Sequence, residues 1–138
     1  MPDPYAEDVN YWLTGTSSPD TWIERTKREI VAAGGVPLGF AYGEDAGRSA
    51  YMLQFRFGNE TFRAVWPVLT SRAGNEKAAR IQAATMLYHD VKARCVSMKV
   101  LGARAAFFTY LLLPDGRTAA QLAAPELADM VPKLLGGG

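Results

Sequence analysis

From residue 36 to residue 68 apolar side chains return at every second position: Val36, Leu38, Phe40 and Tyr42, then Tyr51, Leu53, Phe55 and Phe57, then Phe62, Ala64, Trp66 and Val68. Successive side chains of an extended chain point to opposite faces, so this period of two predicts three strands, each with one face for burial. The segment 43–47 and the pair Gly58-Asn59 supply turns short enough to make the three an antiparallel meander. Pro37 lacks an amide donor, which places the first strand at an edge. On this register Phe40, Tyr42, Tyr51, Leu53, Phe55, Phe57, Phe62 and Trp66 face a core. Gln54, Arg56, Thr61 and Arg63 point the other way and make the second face polar and basic.

Helices bracket the meander. In TGTSSPD, Ser18 can cap a helix, Pro19 suits its first position and Asp20 puts negative charge at its positive end. The helix spans residues 20–33 and ends at Gly34 and Gly35. Residues 4–13 form a short leading helix or an aromatic arm. Asn75 caps a second helix running from Glu76 to about Leu101, on which Ile81, Ala84, Tyr88, Val91, Cys95 and Met98 step by three and four. At ~1.5 Å per residue it is close to 40 Å long, more than the sheet needs, so part of it is expected to pack on another element or subunit. Gly102 closes it. The apolar run 105–113 is open between a buried strand and a continuing buried helix, with helix and then extended chain the favoured reading, and Pro114-Asp115-Gly116 is a turn. Thr118 and Gln121 have the spacing of a capping box, Pro125 opens a last helix ending near Leu135, and residues 136–138 are a frayed tail. The fold class is a single α+β domain over residues 1–138. It comprises a three-stranded antiparallel sheet flanked by an N-terminal helix and a long central helix, with short C-terminal helices.

Several chemistries lose their footing here. The chain of 138 residues fits one domain, and its single cysteine excludes an internal disulfide framework or a cysteine-rich zinc site. No apolar run approaches the ~20 residues of a membrane span, and the acidic start MPDPYAEDVN lacks the features of a signal peptide, so a cytoplasmic protein is expected. His89 is the only histidine and sits between Tyr88 and Asp90 on a helix, where a satisfied or solvent-facing ring is a better reading than a general base. Cys95 lies on the apolar stripe and reads as core. Segment 43–47 lacks the Lys-Ser/Thr ending of a phosphate loop, and Glu7-Asp8 and Glu44-Asp45 are adjacent acidic pairs of the kind that decorate loops. The expectation is a protein that is not an enzyme, with no catalytic residue, no cofactor, no metal and no membrane partner.

The formal net charge of +1 hides a regional imbalance. Residues 1–50 carry 4 basic and 8 acidic groups, residues 51–110 carry 9 and 3, and the remainder 2 and 3. Because salt screens charge beyond ~8 to 10 Å, a local positive field can attract a polyanion while the whole molecule is nearly neutral. Arg56, Arg63, Arg72, Lys77 and Arg80 are the candidate nucleic-acid-binding residues, contacting phosphates from a basic sheet face and a helix start. The expected function is a small nucleic-acid-binding protein, single strands favoured, that binds or anneals them as a homo-oligomer. The alternative is a protein-interaction or inhibitor module of a mobile element. Such a module would oligomerise or grip a host protein through the long helix and the apolar segment around Phe107, Phe108, Tyr110 and Leu111.

Three resemblances accompany this reading. The stretch GNEKAARIQAA (74–84) resembles the helix start with which double-stranded RNA-binding domains grip phosphate. EKAARIQAATMLYHDVKARCVSMKVLG (76–102) resembles the long helix of ring-forming single-strand annealing proteins, whose fold sets such a helix behind a three-stranded sheet. Over most of its length the chain looks like an uncharacterised family common in phages and prophages. That likeness rests on WIERTKREI (22–30), AVWPVL (64–69), the long helix and FFTYLLLPDGRT (107–118). It implies a mobile-element origin and no particular chemistry.

Overall fold

A computed structural model describes residues 3–45 and 47–123. The chain enters through an arm with one 3-10 turn, Ala6–Asp8, and then forms α1 (Pro19–Ala32). The Ser18 hydroxyl accepts from the Thr21 amide at 3.3 Å, and Pro19 occupies the first turn, so the cap is built as the sequence expects. Gly35 turns the chain from α1 into the sheet. A Cβ there would stand 2.6 Å from the Phe57 ring and 2.8 Å from Ile30 Cγ2, so helix and strand meet too closely for any larger residue.

The sheet has the order β1-β2-β3, with β1 Val36–Asp45, β2 Arg48–Phe57 and β3 Glu60–Val68, all antiparallel. Phe40 lies opposite Leu53, Tyr42 and Trp66 lie opposite Tyr51 on its two sides, and Phe55 lies opposite Phe62. The ladder is irregular between Pro37 and Gly39 on the edge strand, where proline has no hydrogen to give. α2 (Glu76–Leu101) starts at Asn75, whose side chain accepts from the Ala78 amide at 3.2 Å. It lays Ala83, Ala84, Leu87, Val91 and Cys95 against the inner sheet face and α1.

After Gly102 come a single helical turn, α3 (Ala103–Ala106), and a 3-10 turn, Phe108–Tyr110. The chain then extends: Leu111 bridges Phe62, and the Leu112 amide donates to the Thr61 carbonyl at 2.9 Å. Helix followed by extended chain is therefore what residues 105–113 form. Phe107 plugs the core with its ring 5.3 Å from Phe55, 5.4 Å from Phe57 and 5.8 Å from Phe62. The capping box opens α4 (Ala119–Ala123), with Thr118 N–H on Gln121 Oε1 at 2.7 Å and Gln121 N–H on Thr118 Oγ1 at 3.2 Å. The helix expected from Pro125 and the tail 136–138 lie outside the described residues. Among the described residues no helix is long and apolar enough to cross a membrane.

The second face of the sheet corrects one expectation. Its phase is as read, but it is not simply polar and basic: Ala50, Met52 and Val65 form a small buried apolar cluster on it. Arg63 is itself only 8% exposed. Alternation assigns a side to each residue; it says nothing about what later covers that side.

Candidate interaction surfaces

The five basic residues singled out by the sequence do not share one surface. Arg63 is folded inward, donating from Nε to Gln54 Oε1 at 3.3 Å and from Nη1 to the Gly116 carbonyl at 3.2 Å. Burial pulls its pKa below the usual guanidinium value. Arg56 is exposed beside the β2–β3 turn, opposite Thr61. Arg72 and Lys77 follow the other end of β3, and Arg80 covers Tyr42 near that end, so the length of the sheet lies between these three and Arg56. The structure thus brings Arg72, Lys77 and Arg80 together around the start of α2 and leaves Arg56 and Arg63 apart from them.

Acidic side chains answer the cations at the start of α2. The arm crosses the β3–α2 loop, held by a 2.9 Å bond from Ala6 N–H to the Thr70 carbonyl. One Glu7 oxygen accepts from the Arg72 amide at 2.8 Å, and the other accepts from the Ser71 hydroxyl at 2.7 Å and the Ala73 amide at 3.1 Å. Removal from water opposes ionisation of Glu7, but the hydrogen bonds from Arg72, Ser71 and Ala73 outweigh it and hold its pKa at about 2. Arg72 pairs with Asp8 at 2.8 Å and lies over the Tyr5 ring. Arg80 stands 3.7 Å from Glu76 and covers the Tyr42 ring. It also lines a cavity of about 170 Å³ with Tyr42, Glu44, Ser49, Ser71 and Glu76. Farther along the arm, Gln82 Nε2 lies 2.8 to 3.1 Å from the carbonyls of Ala6, Val9 and Asn10.

An adjacent acidic pair such as Glu7-Asp8 reads as loop decoration, and nothing local to it announces this clasp. Its one legible signal was Gln82, a polar residue on the buried side of a helix, which needs partners from elsewhere in the chain.

The far end of α2 is different in character. None of residues 96–101 is buried, and Val96, Val100 and Leu101 are 59, 85 and 62% exposed. Lys92, Val96, Lys99 and Val100 fall at helical spacing along one stripe. Neither lysine is in an ion pair among the described residues, although Lys92 lies 5.7 Å from the Tyr88 ring. Phe108, 53% exposed, follows in the 3-10 turn. Nearby cations are already engaged: Arg94 pairs with Asp90 at 2.9 Å and Arg104 with Glu60 at 2.6 Å.

His89 is exposed and stacks on Tyr11 with ring centres 4.8 Å apart. Cys95 is buried, and burial, with Glu29 nearby, pushes its thiol up to about 11. Among the described residues no three His, Cys, Asp or Glu side chains gather in a way that could hold a metal ion. Comparison of the chain with protein-family models, with curated proteins and with solved structures finds no match in any of the three.

Proposed function

We propose that the protein is an assembly module whose copies associate head to tail through the exposed end of α2. The carrying observation is the apolar surface left at that end, on Val96 and Val100 within a stripe that also holds Lys92 and Lys99, with Leu101 exposed on the adjoining side of the last turn. Single exposed apolar residues are ordinary, but a group of them at the end of one helix is a contact surface in search of cover. A two-fold contact of this face with itself would set lysines against lysines, so the cover has to carry the opposite charge. The chain carries acidic groups for this: residues 1–50 hold 8 acidic against 4 basic groups, and Glu44 is exposed near the opposite end of α2, where Asp3 and Asp8 would have to exchange their contacts with Arg48 and Arg72 for the incoming lysines. Head-to-tail contacts of this kind close into rings or continue as filaments. Sedimentation velocity across a wide concentration range tests this reading. The expected result is an association that weakens with salt and vanishes in the Val96→Asp/Val100→Asp double variant. A wild-type monomer at every concentration in low salt refutes it.

Binding of single-stranded nucleic acid is the second reading, and one observation favours it. The loop beside Arg72, Lys77 and Arg80 already holds an anion, the Glu7 carboxylate, with two backbone amides and a hydroxyl. If these three cations contact phosphates, log affinity falls against log salt with a slope near about −2, from ~0.7 per contact. A flat anisotropy titration of a labelled oligonucleotide removes this reading.

A further inference from the structure

We propose that the Ser71-Arg72-Ala73 loop is a phosphate-receiving site whose resident ligand is the protein's own Glu7, so that the N-terminal arm competes with an incoming phosphate. The inference rests on the second reading above and gives it a regulating element. Two successive amides and a hydroxyl converging on one small anion are the donor set with which loops hold phosphate oxygens. Glu7 fills that set with both oxygens, at 2.7, 2.8 and 3.1 Å. Asp8 at the same time takes up the Arg72 guanidinium, the cation best placed to meet a phosphate. Lys77 is exposed at the first turn of α2.

The arm is attached in a way that allows exchange. Ala6 is the only buried residue in its 3-10 turn, and the remaining bonds to the loop are polar contacts that water or another anion can replace. Tyr11 and Leu13 adopt left-handed conformations with φ of 69° and 55°, which non-glycine residues hold only under constraint. Residues 14–16 behind them are exposed. Exchange needs only the Glu7 and Asp8 side chains to swing out of the loop, the arm's backbone staying on Thr70 through Ala6 and on α2 through Gln82.

The test compares three folded proteins: wild type, Glu7→Gln/Asp8→Asn, and Asp20→Asn/Glu24→Gln, which makes the same change of charge on α1. Each is titrated with inorganic phosphate while the backbone amide resonances of Arg72 and Ala73 are followed, and separately with a labelled thymidine oligonucleotide. In Glu7→Gln/Asp8→Asn these two resonances should move and saturate with phosphate. Oligonucleotide affinity should rise roughly tenfold over the α1 control, whose charge is identical. Should that double variant lose its amide dispersion, Glu7→Gln set against Glu24→Gln, again of identical charge, carries the same comparison. A phosphate response without oligonucleotide binding supports the site and sinks the nucleic-acid reading. Oligonucleotide binding equal in all three proteins, with Arg72 and Ala73 silent, leaves that reading standing and overturns the inference.

Discussion

Arg63 on β3 donates to the Gly116 carbonyl at 3.2 Å and so ties the second face of the sheet to the turn after Leu113. With Nε on Gln54 and only 8% of its surface exposed, its guanidinium is a cross-link between segments 53 residues apart. Removing the side chain breaks both hydrogen bonds and opens the space it fills beside the part-buried Gln54. Hydrogen bonds to charged groups contribute ~1.5 to 3 kcal/mol, so Arg63→Ala should cost about 2 kcal/mol in urea unfolding. Arg56→Ala, at an exposed position on the same face, should stay within ~0.5 kcal/mol. Equal effects at the two positions would contradict the structural role given to Arg63.

That contrast also marks how far the sequence was legible. Strands and helices were readable because each follows from a local rule: the period of two from Phe40 to Trp66, the caps at Ser18 and Asn75, and the capping box of Thr118 and Gln121 all appear as expected. The candidate site was not, because it depends on pairings between distant segments. Alternation put Arg63 on the right face, yet only the return of the chain at Gly116 decides whether that face meets water. Likewise Arg72 reads as a free cation until Asp8, from an arm 64 residues away, comes to stand beside it, whereas the pairing of Arg80 with Glu76 one turn earlier is local. Composition counts charges and cannot pair them.

The Asp90 carboxylate accepts from both the Tyr110 hydroxyl and the Arg94 guanidinium, and Arg94 also donates to the Ala106 carbonyl at 3.1 Å. The segment after α2 is thereby fastened back onto it. Burial and the neighbouring carboxylate push the Tyr110 phenol well above its ordinary pKa, so it remains a donor through neutral and mildly alkaline pH. Tyr110→Phe keeps the ring in its 6% exposed position and removes only that donor. The expected loss is about 1.5 kcal/mol by denaturant unfolding, with amide exchange quickened in residues 103–112. An unchanged unfolding midpoint would show that Arg94 alone satisfies Asp90.

Cys95 should be a poor nucleophile in the folded protein. It is 5% exposed, and a thiol held at about 11 is almost wholly protonated at slightly alkaline pH. An unperturbed thiol with pKa ~8.5 is partly ionised there, so alkylation by iodoacetamide should be at least roughly a hundredfold slower in the native protein than in urea. Equal rates in the two states would mean that α1 and α2 part readily around this residue.

The arm's clasp gives stability a definite dependence on acid. Glu7 is held at about 2 in the folded chain against 4.5 for the free side chain, so between those values the unfolded chain binds more protons than the folded one. The stabilisation from Glu7 is therefore complete above about 4.5 and disappears as pH falls toward about 2. Glu7→Gln keeps the shape of the side chain but cannot ionise, and its amide nitrogen places a donor where the loop also offers donors. Thermal unfolding followed by circular dichroism should show wild type melting above the variant at neutral pH, with the gap closing through that acid window. Because Asp8 remains on Arg72 in both proteins, its contribution largely cancels in the difference. A gap that stays constant from neutral pH into strong acid would mean that Glu7 holds the loop by shape alone, without its charge.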